Sequence, residues 1–197
     1  MAQRASTPKN KSGSEFDLHR TVVLVGMMGS GKTAIGKALS ARLNVPFLDS
    51  DAEIEAAANA TIAEIFERDG EEFFRRRESE VINRLLSGAP CILSTGGGAF
   101  LAERNRTVIS EKGVSLWLNA GLETLWERVR HKTTRPLLRT ANPKQTLTDL
   151  LNARLPIYQQ ANLVVDVDGG FSIEETTEAA IAVLLGRPDV LEKNNAL

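Results

Sequence analysis

The sequence predicts an α/β domain of three layers, a central five-stranded parallel sheet flanked by helices. Two observations predict it. Five short apolar runs recur along the chain, separated by stretches of helical periodicity, which is the alternation a parallel sheet produces. The first run passes straight into a Gly-rich loop and then a helix, a strand-loop-helix unit with its own chemical meaning. The 197 residues, 42% of them hydrophobic, are enough for one domain with a full core.

In chain order, the strands are expected at residues 21–25, 46–48, 91–94, 114–118 and 163–167. The first helix is expected from 32 to about 43, with Ala34, Ala38 and Ala41 allowing close approach to the strands. Thr61-Ile62-Ala63-Glu64 has capping-box spacing, so a short helix should begin there and end near Asp69-Gly70. The next, over 71–86, gathers Phe74, Val81, Ile82, Leu85 and Leu86 on one stripe and leaves Arg75, Arg76 and Arg77 partly off it. Further helices are expected at 122–130, 147–161 and 173–185. Residues 1–20, rich in Ser, Lys and Arg, and residues 187–197 read as loosely held tails around a single domain at 21–186.

Composition removes several function classes. Lys and Arg total 24 against 25 Asp and Glu, a net charge of -1, so the basic excess of a nucleic-acid binder is missing. No segment reaches the roughly 20 apolar residues of a membrane span. Cys91 is the only cysteine, which excludes an intrachain disulfide; in its apolar run it reads as a small buried hydrophobe. Residues 1–20 lack an apolar stretch of signal-peptide length and contain Glu15 and Asp17, so a cytoplasmic protein is expected. Without a coiled-coil pattern or a large apolar stripe, a monomer is expected as well.

The loop Gly26-Met27-Met28-Gly29-Ser30-Gly31-Lys32-Thr33 has the spacing of a phosphate cradle. Its glycines let backbone N–H groups turn toward anionic oxygens, Lys32 can bridge the outer phosphates of ATP, and the Thr33 hydroxyl can ligate Mg²⁺. Ligands in such sheets collect at the carboxyl ends of the strands. There the second run ends in Asp49-Ser50-Asp51. Asp49 is suited to holding a water of the magnesium shell, and Asp51 to positioning or deprotonating a substrate hydroxyl; the competing role is a helix N-cap pair. The third run ends in Thr95-Gly96-Gly97-Gly98-Ala99, which exposes backbone N–H groups to a bound molecule unless it is an ordinary flexible turn. No aspartate occurs in 91–94, which argues against motor ATPases and GTPases and toward small-molecule kinases.

Three arginines complete the pattern. Arg75 has Glu78 on the same helix face, Arg135 precedes the helix-breaking Pro136 in a lid-like segment, and Arg154 could grip a carboxylate bidentately. Singly, each is more commonly a solvated surface arginine.

Together these residues resemble the shikimate kinase family over about residues 20–186. The resemblance is carried by the Gly-rich loop, Asp49-Ser50-Asp51, Ile65-Phe66, Gly70-Glu71, Phe74-Arg75-Arg76-Arg77-Glu78, Gly96-Gly97-Gly98, Arg135-Pro136-Leu137-Leu138 and Arg154-Leu155-Pro156-Ile157-Tyr158. It implies a P-loop kinase fold with substrate-binding helices at about 51–88 and a mobile lid at about 131–145. It implies transfer of the ATP γ-phosphoryl group to the shikimate 3-hydroxyl in aromatic amino-acid biosynthesis. Lys32 would then contact phosphates, Thr33 would bind magnesium with Asp49 in its outer shell, and Asp51 would orient the attacking hydroxyl. Arg75, Arg154, Gly97 and Gly98 would hold shikimate against the apolar walls of Phe66 and Phe74, although both rings also suit plain core packing. Glu78 would position Arg75, Arg128 would lie against adenine, and Arg135 would swing in on the lid. The alternatives are a gluconate kinase or other small kinase of carboxylated polyols, and a nucleotide-binding regulatory module without catalysis.

Overall fold

All five side chains of β2 (Thr21–Val25) are buried, as a strand paired on both edges and covered on both faces requires. The computed structural model, which describes residues 15–131 and 136–194, places β2 at the centre of a five-stranded sheet. Its strands are β3 (Phe47–Asp49), β4 (Ile92–Ser94), β2, β5 (Gly113–Ala120) and β6 (Leu163–Val167) in spatial order, and every pair is parallel. Val23 pairs with Leu93 on one side and Ser115 on the other. From β2 the chain goes outward to β3, returns to β4, then crosses to β5 and β6. The connections that leave the neighbours β2 and β5 therefore run in opposite directions, opening a crevice at the carboxyl ends of these two strands.

The flanking helices are α1 (Lys32–Leu43), α2 (Ser50–Ala58), α3 (Ile62–Leu85), α4 (Glu103–Lys112), α5 (Leu122–Val129), α6 (Pro143–Tyr158) and α7 (Ile173–Leu185). Thr61 starts α3 with a complete capping box, and Gly70 breaks its helical path at φ 81, ψ 170, where two helices had been expected to meet. Buried side chains on both faces of the sheet form the main core, with Cys91 inside it at 1% exposure. A second core of Ile54, Ile65, Phe74 and Val81 holds α2 to α3, so this pair packs as a lobe with its own apolar interior.

Within the described residues, 15–20 and 187–194 depart from the expectation of loose tails, while 1–14 and 195–197 lie outside the described residues. β1 (Phe16–Leu18) and β7 (Leu191–Lys193) pair antiparallel, with Phe16, Val190 and Leu191 buried. Arg42 supports this clasp, its guanidinium 5.0 Å over the Phe16 ring and 2.7 Å from Glu15. Other boundaries move modestly. α6 begins at Pro143, four residues before the expected start and inside the expected lid, because Asn142 accepts from the Gln145 N–H and proline suits a first helical turn. α4 and the 3₁₀ turn at Ala99–Leu101 were not expected at all. Of the expected lid, residues 132–135 lie outside the described residues, and a 3₁₀ turn spans Pro136–Leu138.

Candidate functional site

The Gly-rich loop runs from β2 into α1 with Gly26, Gly29 and Gly31 all at positive φ. This backbone curls over a cavity of about 500 Å³ lined by Met28, Gly29, Gly31, Lys32, Thr33 and Arg128, by Asp49 and Asp51, and by Ser94 to Gly97. Lys32, 9% exposed, donates to the Gly26 and Met27 carbonyls at 2.8 and 3.0 Å. Arg128, from α5, approaches the Gly29 and Ser30 carbonyls at 3.4 and 3.3 Å. The loop thus presents cationic side chains and the amino end of α1 to one space, the arrangement that binds polyphosphate.

Asp49 ends β3 and caps α2, its Oδ1 accepting from the N–H groups of Asp51 and Ala52. The N-cap role weighed for this pair is therefore real for Asp49, and it fixes where Asp51 begins. Asp51 is mostly buried, and its Oδ1 accepts no hydrogen bond among the described residues. Burial, with the nearby charges of Asp49 and Glu78 and against the pull of Lys32, pushes its carboxyl up to about 6. A buried carboxylate oxygen without a donor, on a residue that lines a cavity, calls for a partner from outside the chain.

Of the three glycines after β4, Gly96 and Gly97 line this cavity, while Gly98, like Arg75 and Arg154, lies just outside its lining. A methyl group on Gly96 would stand 2.8 Å from Asp51 Oδ1, one on Gly97 3.9 Å from Arg154 Nη1, and one on Gly98 2.8 Å from Arg75 Nη1. Gly96 and Gly98 therefore make room for Asp51 and Arg75 by their missing side chains, whereas Gly97, with Met28 N and Gly26 O nearer at 3.5 and 3.7 Å, stands in ordinary contact with Arg154. Arg75 donates through Nη1 to both Glu78 oxygens at 3.0 and 3.1 Å. Glu78 is 1% exposed, and burial raises its carboxyl although Arg75 opposes the shift. Its helix-face pairing with Arg75 is as the spacing suggested.

Phe74 is buried in the second core, with the Phe66 ring 4.6 Å away; neither lines the cavity beside the Gly-rich loop. Arg135 lies outside the described residues. Thr33 and Asp49 line one cavity with oxygen donors, and no cluster of three or more metal-binding side chains occurs among the described residues. That donor set fits Mg²⁺, which keeps waters and takes phosphate oxygens rather than an all-protein cage.

Sequence reasoning passed over several contributors. Val167, Phe171, Ser172, Ile173 and Thr176 line the outer part of the cavity, from the end of β6 and the start of α7. The rule that ligands meet strand carboxyl ends applies to β6 as much as to β2 and was the available signal. Tyr158 ended the run that begins at Arg154 and was given no role, yet its hydroxyl donates to the Gly97 carbonyl at 2.6 Å.

Comparison with known proteins agrees with this arrangement. The family model described as Shikimate kinase matches residues 28–185. A Shikimate kinase of Ruegeria pomeroyi is 65% identical over 187 residues, covering 95% of this chain and 96% of that protein. Among solved structures, a shikimate kinase from Acinetobacter baumannii in complex with shikimate is 39% identical with a TM-score of 0.76, covering 84% of this chain and 91% of that one. A gluconokinase from Sinorhizobium meliloti 1021 covers 87% of this chain and 94% of its own at a TM-score of 0.57, and at 18% identity that likeness is one of fold alone. Motif order, sheet topology and identity over nearly the whole length agree, and the chain belongs to the shikimate kinase family.

Proposed function

We propose that the crevice is a two-substrate site in which the ATP γ-phosphoryl group passes in line to the 3-hydroxyl of shikimate, giving shikimate 3-phosphate and ADP. Shikimate kinase activity, with ATP as phosphoryl donor, belongs to the chain through its family. The observation that carries the residue-level reading is the alignment of Gly96, Gly97 and Gly98 with Asp51, Arg154 and Arg75. One carboxylate and two guanidiniums around bare backbone suit a small polyol that bears a carboxylate.

On the donor side, Gly26 through Thr33 wrap the phosphates, Lys32 exchanges its loop carbonyls for phosphate oxygens, and Arg128 lies against the adenine. Thr33 would hold magnesium directly and Asp49 through water, and the ion would supply neutralisation of phosphate charge. On the acceptor side, Arg75 and Arg154 hold the carboxylate while the Gly97 and Gly98 backbone meets ring hydroxyls, with Phe66 and Phe74 behind them. Asp51 accepts the hydrogen bond of the attacking hydroxyl at its carboxylate and takes up its proton as the phosphoryl group arrives. With its carboxyl at about 6, Asp51 is ionised near neutral pH yet basic enough to share that proton. Arg135 enters on the lid to neutralise charge and exclude water. We place the protein in the cytoplasm as a monomer without nucleic-acid or membrane partners; no helix among the described residues is long and apolar enough to cross a membrane.

A coupled ADP-release assay tests the assignment. Mg-ATP with shikimate should release ADP, and Mg-ATP alone or with gluconate should not. Equal turnover with gluconate would redirect the acceptor, and nucleotide binding without shikimate-dependent turnover would favour the regulatory alternative.

A further inference from the structure

Tyr158 is the chain's only tyrosine and one of its most deeply buried side chains, at 1% exposure. It closes α6, one turn beyond Arg154, and its ring stacks on Trp117 of β5 with centroids 6.2 Å apart. A phenylalanine would satisfy that packing. The hydroxyl does something else: it donates to the Gly97 carbonyl at 2.6 Å, with Met27 Sδ at 3.9 Å. A hydroxyl has one proton, and the short contact to oxygen claims it over the distant sulfur.

The consequence lies in the peptide joining Gly97 to Gly98. Its bond is trans, so the Gly97 carbonyl and the Gly98 N–H point in opposite directions. Anchoring the carbonyl on Tyr158 aims the Gly98 N–H the other way, and that N–H has no hydrogen-bond partner among the described residues. The Arg75 guanidinium stands over Gly98, only 2.8 Å from where a methyl would sit. A peptide between two glycines has little steric resistance to flipping, so an outside hydrogen bond must hold its plane.

We infer that Tyr158 is a positioning residue that locks the Gly97–Gly98 peptide with its free N–H toward the acceptor, so that α6 aligns both Arg154 and this backbone donor. The inference rests on the acceptor site described under the proposed function. Losing the hydroxyl leaves the Gly97 carbonyl without its donor and releases the plane, so the effect falls on the acceptor and not on the nucleotide.

Tyr158→Phe keeps the ring on Trp117. Its shikimate KM should rise about five- to tenfold, with the ATP KM unchanged. In ¹⁵N-labelled protein, the Gly98 amide of the unmodified chain should shift on saturation with shikimate, and that response should shrink in Tyr158→Phe. A merely structural role would lower the melting temperature and leave both readouts as they were. An unmodified Gly98 amide that ignores shikimate would overturn the acceptor site itself. A normal Gly98 response together with an unchanged shikimate KM in Tyr158→Phe would overturn only the role of Tyr158. Should the variant fail to fold, the unmodified protein still decides: a Gly98 amide that exchanges with solvent as fast with shikimate as without it refutes the donor.

Discussion

Replacing Asp51 by Asn should stabilise the protein while disabling it, and the size and pH dependence of the gain follow from the site. Folding moves the carboxyl from 3.8 to about 6, chiefly through burial and the neighbouring charges of Asp49 and Glu78. For an acid raised on folding, the ionised form is the one penalised. Stability is therefore full below pH 4, falls as pH rises through the folded value of about 6, and carries the whole penalty above it. Roughly two pH units correspond to about 3 kcal/mol. Asp51 also sits in the first turn of α2, where a negative charge favours the helix amino end. Losing that interaction returns about 0.3–1 kcal/mol.

The net gain for Asp51→Asn should thus be about 2 kcal/mol at pH 8, or about 4–8 °C in melting temperature for a domain of this size. Denaturant or thermal unfolding of both proteins at pH 4, 5, 6, 7 and 8 measures it. The difference should be near zero at pH 4, open through pH 6 and level off above pH 7. A gain of equal size at every pH, or a loss at pH 8, would refute the reasoning, since neither can come from a penalised carboxylate. Turnover should fall in the same variant, because the carboxylate whose ionisation costs stability is the one the hydroxyl uses.

Arg75→Ala should weaken shikimate capture by about 2–5 kcal/mol and leave ATP affinity as it was, measured by steady-state KM and nucleotide calorimetry. It also strands buried Glu78, so the melting temperature should drop and partly recover in Arg75→Ala with Glu78→Gln; no recovery would show that the pair is not coupled. The pH profile of kcat/KM for shikimate should lose activity on the acid side through about pH 6, as Asp51 takes up a proton, and a flat profile from pH 5 to 8 would remove Asp51 as the group that titrates. Leu191→Ala should cost about 2–5 kcal/mol by denaturant unfolding, because Leu191 is fully buried in the terminal clasp, whereas a frayed end would lose nothing.

What could be read in advance divides along the range of the interactions. Strands at 21–25 and 163–167 and the break at Gly70 are local matters of apolar runs and backbone freedom, and the structure has them where the residues put them. α4 escaped because its ten residues bring only Asn105 and Ile109 fully inside, too sparse a stripe to register as a helix. The terminal clasp escaped for a different reason. β1 and β7 are three residues each, and Phe16 meets Lys193 across nearly the whole chain, a pairing no periodicity encodes.

The site divides in the same way. Each motif was legible by type and spacing, since a phosphate cradle or a Gly triplet is contiguous. Their registration against one another was not, because Asp51, Arg75 and Arg154 reach Gly96, Gly98 and Gly97 from three separate helices. The glycines are where the two kinds of information join. Read alone, Gly96-Gly97-Gly98 says only that the backbone is bare; set beside their neighbours, the missing methyls of Gly96 and Gly98 become the space that Asp51 and Arg75 occupy. The same logic accounts for Tyr158, whose packing on Trp117 looks like ordinary core until its hydroxyl is followed to the Gly97 carbonyl. A buried polar atom with a single short bond to a glycine peptide fixes a direction, and at this place the direction leads to the acceptor.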